Sequence, residues 1–488
     1  MSAPFVHITD LNLQYQEKQV LSGLNWQIFQ GENWLLGGKS GSGKTSLAKI
    51  IAGLEKSSGH IQINFNSSSQ LPKRVLFVSS WYQFTNLEGD RNFYYQQRYN
   101  KQQKNDTLTV YAELLHYAKE EDLVFDDVEQ YLELFGFSNC RNTQLIELSS
   151  GENKKLQLIK AFWLKPQLLI IDQPYTGLDA MSRKHLNQEF NNLTSQGVQL
   201  ILITNDDELP SCINRFAEIE NCQLKFVHSK EEITKEESRI KKTLPNFLQQ
   251  APNISADSMV SMKDINVKYG DKQVLHDITW EVKAGEKWLL QGPNGSGKST
   301  LLSLINGDHP QAYTSELYLF GKKRGSGESI WEIKEHLGII SPELHWYFDS
   351  TAKVWQSIAS GFYDSVGLFR DLTHNMQRKV DEILEFFDLK EYKHYLLHTL
   401  PLGKQRLALL ARTIIKNPEL LILDEPCQGL DAVQTQHFND VVDELCTYGK
   451  TLIYVGHFET QLPACIENRI ILENGRVKAI ENLTESIF

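Results

Sequence analysis

Long apolar runs are missing from this chain of 488 residues. No run approaches the ~18 apolar residues that a membrane-spanning helix needs. The first ten residues have neither the basic start nor the apolar core of a signal peptide. We therefore expect a polypeptide that does not cross a membrane by itself and that lies in the cytoplasm, either free or peripheral at the inner face of the cell membrane.

Cysteine is also scarce, and basic residues are fewer than acidic ones. The six cysteines show no C-x-x-C spacing, so we expect free thiols and neither a disulfide framework nor a metal site. The formal net charge of −11 argues against broad nucleic-acid binding, because a phosphate-binding face is usually basic. A local basic patch is compatible with this charge.

The chain does contain a glycine-rich loop, and it contains it twice. The pattern G-x-x-x-x-G-K-[ST] wraps phosphate oxygens with backbone N–H groups, and each copy lies between an apolar strand and a helical pattern. Lys44 and Lys298 are 254 residues apart, so the chain is a tandem repeat. The predicted nucleotide-binding residues of the loops are Gly38, Lys39, Ser40, Gly41, Ser42, Gly43, Lys44, Thr45 and Ser46, and Gly292, Pro293, Asn294, Gly295, Ser296, Gly297, Lys298, Ser299 and Thr300.

Two apolar strands end in aspartates, Asp172 and Asp424, which lie 252 residues apart. A carboxylate at such a strand end can hold the Mg²⁺ of a bound nucleotide. The hydroxyl that follows the loop lysine, on Thr45 or Ser299, is the other predicted metal ligand, held directly or through water.

A tyrosine precedes each loop by 23 residues, Tyr15 in the first copy and Tyr269 in the second. Its ring could stack on adenine and supply apolar contact area. The alternative is a tyrosine that only packs against the small antiparallel sheet predicted at the start of each copy.

The repeat predicts two nucleotide-binding domains, residues 1–228 and 258–488, joined by a charged linker, residues 229–257, whose first half is compatible with a solvated helix. Residues 81–104 are dense in aromatic and amide side chains. This segment is open to three interpretations: an irregular surface insertion, a protein-docking surface, or a stacking platform for single-stranded nucleic acid.

The motif set resembles the ATP-binding cassette (ABC) ATPases over both halves. It comprises the two loops, the turn LSSG at residues 148–151, the strand end DEP at 424–426, GLD at 429–431 and a histidine, His457, that ends a strand. The resemblance implies an α/β fold with two tandem P-loop NTPase domains. Each would have a mainly parallel core sheet flanked by helices, an antiparallel β subdomain and a helical signature subdomain. It also implies ATP hydrolysis with Mg²⁺.

The resemblance further implies that the two domains pair head to tail within one chain, so that each ATP contacts motifs of both copies. The site on the second loop would combine Lys298, Ser299, Asp424, Glu425 and His457 with Ser149, Ser150 and Gly151. Its catalytic residues would be Glu425, His457, Lys298 and Ser149. The site thus has a base for the attacking water in Glu425, a contact to the γ-phosphate in His457, and groups that balance charge on the transferred phosphoryl group in Lys298 and Ser149. This site is therefore expected to hydrolyse ATP.

The turn LSSG is the signature turn of the first copy, and LPLG at residues 400–403 is its counterpart in the second. The other site would combine Lys44, Thr45 and Asp172 with this second signature turn, at Gly403. It departs from the family pattern at three positions, Gln173 for the catalytic glutamate, Asn205 for the histidine and Pro401 for the signature serine. An amide cannot accept a proton as a carboxylate does. We therefore expect this site to hold Mg-ATP with little turnover.

Residues 306–341 resemble a subfamily of tandem cassettes associated with molybdate transport, which implies an ATPase that docks on an integral-membrane permease. Transport ATPases place a glutamine after the strand that follows the loop, whereas this chain has Ser80 and Pro342. The alternative is a soluble ATP-driven switch that acts on a ribosome, a nucleic acid or another protein. The short linker and the net negative charge argue against a ribosome or a nucleic acid as the partner.

Overall fold

The computed structural model describes residues 3–15, 18–80, 107–148, 150–178, 180–206, 208–233, 243–251, 256–269, 272–341, 351–365, 367–428, 430, 432–456 and 462–483. The chain forms two compact units, the first drawn mainly from residues before 238 and the second mainly from residues after it.

Nine strands and five helices of the first unit are described. The strands are β1 Val6–Tyr15, β2 Lys18–Ile28, β3 Trp34–Gly37, β4 Ser58–Ile63, β5 Val75–Val78, β6 Leu168–Asp172, β7 Gln199–Ile203, β8 Arg215–Glu220 and β9 Gln223–Val227. The helices are α1 Lys44–Ile51, α2 Val110–Glu121, α3 Val128–Leu134, α4 Ser150–Leu164 and α5 Ala180–Ser195.

The described part of the second unit repeats this order with one additional strand and one additional helix, which makes ten strands and six helices. The strands are β10 Ser258–Tyr269, β11 Lys272–Lys283, β12 Lys287–Gln291, β13 Glu316–Leu319, β14 Lys322–Lys323, β15 Leu337–Ile340, β16 Leu420–Asp424, β17 Thr451–Val455, β18 Asn468–Glu473 and β19 Arg476–Asn482. The helices are α6 Lys298–Ile305, α7 Ile330–His336, α8 Val354–Ala359, α9 His374–Phe386, α10 Leu402–Ile414 and α11 Ala432–Thr447.

Each unit has a six-stranded core sheet with the same topology. The strand orders are β5-β6-β7-β3-β8-β9 and β15-β16-β17-β12-β18-β19. Every pair is parallel except the last in each sheet, β8–β9 and β18–β19. Since the carboxyl ends of parallel strands meet at one edge, the loop after β3 or β12 and the aspartate that ends β6 or β16 come to the same edge of the sheet.

The central strands are buried along their whole length, which explains their sequences. All five residues of β6, β7, β16 and β17 are buried. Parallel strands covered on both faces are nearly continuous apolar runs, as LLIID and LLILD are. The core sheet therefore follows from the apolar runs that precede Asp172 and Asp424.

A separate antiparallel sheet opens each unit, and helices lie beside the core sheet. The antiparallel sheets have the orders β2-β1-β4 and β11-β10-β13-β14. In the first unit α2, α3 and α4 contribute apolar residues to one buried cluster with β6 and β7. The predicted fold class, an α/β P-loop fold present twice, is confirmed. No helix among the described residues is long and apolar enough to cross a bilayer.

Candidate functional site

The two glycine-rich loops have the same backbone conformation. Each places three glycines in the left-handed region, with φ of 115°, 76° and 105° at Gly38, Gly41 and Gly43. The corresponding glycines of the second loop have φ of 155°, 78° and 102°. Left-handed backbone strains residues that carry a Cβ atom. The glycines therefore set the loop conformation in both units.

The first glycine of each loop also lies against the backbone of a neighbouring strand. A Cβ atom on Gly38 would be 2.8 Å from the carbonyl oxygen of Ile219 on β8. On Gly292 it would be 2.3 Å from the carbonyl oxygen of Leu472 on β18. Only glycine fits this approach, which holds the loop at the end of the sheet.

The loop lysines arch back over their own loops. The Lys44 ammonium donates hydrogen bonds to the carbonyl oxygens of Gly38 at 2.6 Å and Lys39 at 2.8 Å. The Lys298 ammonium donates to Gly292 at 2.7 Å and Pro293 at 3.1 Å. Each ammonium is thus buried within the loop that it is predicted to use for phosphate binding.

One serine hydroxyl in each loop is buried without a hydrogen-bond partner among the described residues. These are Ser42 and Ser296, at equivalent positions. A buried hydroxyl without a partner is unfavourable unless a ligand satisfies it. Two equivalent hydroxyls of this kind are compatible with loops that enclose phosphate oxygens. The other predicted loop residues lie in the same loops or in the first turn of α1 or α6, namely Ser40, Gly41, Ser46, Asn294, Gly295, Ser299 and Thr300.

The predicted metal ligands of the first unit lie together. The Thr45 hydroxyl donates a hydrogen bond of 2.7 Å to the Asp172 carboxylate. Burial raises the pKa of Asp172, while the bond from Thr45 and the nearby Lys154 and Lys44 ammonium groups oppose that rise. A hydroxyl beside a carboxylate is an oxygen donor set that suits Mg²⁺. In the second unit Ser299 is the second residue of α6, as Thr45 is of α1, and Asp424 ends β16 as Asp172 ends β6.

The residue after each aspartate has a strained backbone. Glu425 has φ of 43° and Gln173 has φ of 50°. The N–H group of each donates to the neighbouring strand, Glu425 to Val455 at 3.1 Å and Gln173 to Ile203 at 2.8 Å. Non-glycine residues in this region persist where the surroundings enforce them, and they cluster at functional sites. The two halves therefore present a carboxylate and an amide from the same turn.

Lys154 lies outside the predicted set but is in direct contact with it. Its ammonium donates to the carbonyl oxygens of Asp172 at 3.0 Å and Ser79 at 2.9 Å. Burial lowers its pKa to about 7, and the charge of Asp172 opposes this shift. Arg406, 252 residues later, is also buried. A basic residue recurs at this position in α4 and α10, but that recurrence does not indicate burial, because a basic residue in a helix is usually solvent-exposed.

The signature turns are described only in part. Ser149 lies outside the described residues, α4 begins at Ser150, and Gly151 is buried. In the second unit Pro401 precedes α10 with φ of −54°, and Gly403 is buried in its first turn. Proline at a helix start has a suitable φ and lacks an N–H group that the helix would not use.

The two predicted adenine-stacking tyrosines make different contacts. The Tyr15 hydroxyl is hydrogen-bonded to Ser46 at 3.0 Å and donates to Glu55, and the residue is 46% exposed. The Tyr269 hydroxyl lies 2.9 Å from a ring nitrogen of His309. Tyr15 is therefore joined to the first turn of α1, whereas Tyr269 packs on a buried histidine of its own β subdomain. Stacking on adenine stays a prediction for both.

Several predicted features lie outside the described residues. They are His457, the GLD residues Gly429 and Asp431, Pro342 and the aromatic segment 81–104. Asn205 is described; it is half-buried and follows β7. The roles assigned to the site residues of both halves remain predictions.

Comparison with known proteins identifies a protein family whose model matches both halves of the chain. A family model described as ABC transporter matches residues 21–176 and, again, residues 275–428. The chain belongs to the ABC transporter family. Its tandem organisation and its enzyme class, an ABC-type ATPase that binds ATP, are thereby confirmed.

Relatives of similar length share both halves. The chain is 35% identical over 462 residues to the ABC transporter ATP-binding protein ModF of Escherichia coli (strain K12), covering 90% of this chain and 91% of that protein. It is 29% identical over 488 residues to the uncharacterized ABC transporter ATP-binding protein C323.04 of Schizosaccharomyces pombe, covering 97% and 99%. Among solved structures, cbiO1 of Clostridium perfringens, part of the ABC transporter complex cbiONQ, is 27% identical with a TM-score of 0.41, covering 47% of this chain and 90% of that chain.

The close approach of Gly292 to β18 generates a first prediction. Gly292→Ala should destabilise the second unit by more than ~2 kcal/mol and weaken nucleotide binding, because the new methyl group overlaps a backbone carbonyl. Gly295→Ala is the matched control, since its Cβ atom would have no neighbour within 4 Å and only the left-handed strain of ~1–2 kcal/mol applies. Thermal melting and a count of bound ATP measure both effects; equal losses in the two variants would contradict the prediction.

The buried ammonium of Lys154 predicts a pH-dependent stability difference. Below pH ~7 this group is charged in the folded and unfolded chain, so burying the charge opposes folding. The penalty decreases as pH rises, because the folded chain loses the proton at about 7 and the unfolded chain near 10.5. Lys154→Met should therefore gain stability relative to the parent chain at about pH 6 compared with about pH 9. Thermal melting at both values tests this, with Lys155→Met as control; a difference independent of pH would contradict it.

Proposed function

We propose that the chain hydrolyses ATP at one composite site and holds nucleotide with little turnover at the other. The observation that carries the proposal is the pair of equivalent turns after Asp172 and Asp424. The residue after each aspartate has a left-handed backbone and donates a backbone N–H hydrogen bond to the adjacent strand. This residue is Gln173 in the first half and Glu425 in the second. A carboxylate can accept a proton from water and a neutral amide cannot.

In the hydrolytic site the Glu425 carboxylate accepts a proton from the water that attacks the γ-phosphate. The Lys298 ammonium and the Ser149 hydroxyl of the other half stabilise negative charge on the transferred phosphoryl group. His457 contacts the γ-phosphate. Ser299 and Asp424 would hold Mg²⁺, which when bound neutralises charge on the phosphate oxygens. What supports pairing between the halves is the head-to-tail arrangement implied by the family.

The second composite site would use Lys44, Thr45 and Asp172 to bind Mg-ATP. Gln173 and Asn205 replace its base and its histidine. Pro401, at the start of α10, offers neither a hydroxyl nor a backbone N–H group to the nucleotide. The same proposal assigns residues 1–228 and 258–488 to the two domains and 229–257 to the linker.

The function that we propose for the whole chain is to energise a membrane transporter, with a molybdate-type substrate and an integral-membrane permease as partner. Its support is the similarity to ModF over most of both chains. A second candidate, a soluble ATP-driven switch, is favoured by one position. Ser80 follows β5 where transport ATPases of the family place a glutamine.

Steady-state ATPase measurements test the one-site proposal. Glu425→Gln should reduce turnover about 10²-fold or more, the scale of a lost general base, while Gln173→Ala should change it little. Because the first half already carries an amide at this turn, Glu425→Gln is expected to fold and to retain bound nucleotide. Similar losses from both variants would rule out a single hydrolytic site.

Purification with partners tests the proposed role in transport. A membrane permease that co-purifies with the chain from solubilised membranes, and that stimulates its ATPase activity, would support the transporter proposal. Co-sedimentation with ribosomes or DNA in ATP, without a permease, would favour the switch instead. The Glu425→Gln variant is useful here because slow hydrolysis should prolong the ATP-bound state.

A further inference from the structure

The Glu425 side chain has a hydrogen-bond donor three residues later in the same turn. The amide nitrogen Nε2 of Gln428 donates to Oε2 of Glu425 at 3.0 Å. The backbone closes the same turn, because the N–H group of Gln428 donates to the carbonyl oxygen of Glu425 at 3.2 Å. Side chain and main chain therefore fix these two residues to each other.

The first half has the same turn without this donor. The N–H group of Thr176 donates to the carbonyl oxygen of Gln173 at 3.4 Å, so the backbone is shared. Thr176 is 7% exposed and its side chain has no amide. The amide donor Gln428 thus accompanies the carboxylate of Glu425. In the first half, where Gln173 replaces the carboxylate, Thr176 replaces the donor.

Packing alone does not explain Gln428. Its other amide atom, the carbonyl oxygen Oε1, is buried and accepts no hydrogen bond from the residues that the structure describes. Burying an acceptor without a donor costs about 1–3 kcal/mol. An apolar side chain of similar length would avoid that cost, so a benefit at Glu425 is the better explanation.

We propose that Gln428 is a positioning residue for ATP hydrolysis: its amide N–H holds one oxygen of the Glu425 carboxylate and so fixes the orientation of the carboxylate toward the attacking water. This inference rests on the proposed function, since it assigns Glu425 as the base.

The test compares kcat and KM for ATP in the parent chain, Gln428→Met and Thr176→Val. Methionine preserves length and removes the donor. We expect kcat of Gln428→Met to fall about tenfold with KM unchanged, a fraction of the ~10²-fold contribution of a general base. Thr176→Val, the matched change in the other half, should leave kcat unchanged.

A second variant guards against an effect of misfolding. Gln428→Glu keeps the length of the side chain and replaces the donor by a second carboxyl group, which repels the Glu425 carboxylate when both are charged. Its kcat should also fall with KM for ATP unchanged, whereas a misfolded chain would lose ATP binding as well. Parent-like kcat in both variants, with turnover still lost in Glu425→Gln, would overturn this inference alone. Turnover that is absent from the parent chain, or that survives Glu425→Gln, would overturn it together with the proposed function.

Discussion

The site depends on one steric constraint, the contact between the first glycine of each loop and a strand carbonyl. Gly38 lies against Ile219 on β8, and Gly292 lies against Leu472 on β18. Since nothing larger than a hydrogen fits there, the loop is held at the end of the core sheet. The lysine that ends each loop then has its own loop carbonyls within reach, and the helix that follows begins at this lysine.

The same backbone supports different chemistry in the two halves. Core-sheet order, loop conformation and the strained turn after the aspartate are shared, whereas Gln173 and Thr176 replace Glu425 and Gln428. The strain at this turn is retained in the half that lacks the carboxylate. A conformation enforced by a hydrogen bond to the adjacent strand does not depend on what the side chain does, so catalytic groups can change without a change of fold.

Most of the fold could be predicted because buried parallel strands are conspicuous as apolar runs between motifs. The runs ending at Asp172 and Asp424 identified β6 and β16, and offsets of 254 residues at the loops and 252 residues at the later motifs aligned the two halves. Lys154 could not be predicted, since a lysine in a helix is usually solvent-exposed. Its contacts with the carbonyl groups of Ser79 and Asp172 depend on how the helix packs over two strand ends.

The sequence by itself determined the tandem repeat, the α/β class, the two phosphate-binding loops and the loss of a carboxylate at position 173, because local patterns and residue chemistry suffice for these. Tertiary structure decided which partners the site residues have. The bond between Thr45 and Asp172, the different partners of Tyr15 and Tyr269, and the buried ammonium of Lys154 join residues that are distant in the chain. Gln428 and Glu425 are neighbours in sequence, yet their bond requires a left-handed residue held by β17. Such contacts arise from packing, which no local pattern specifies.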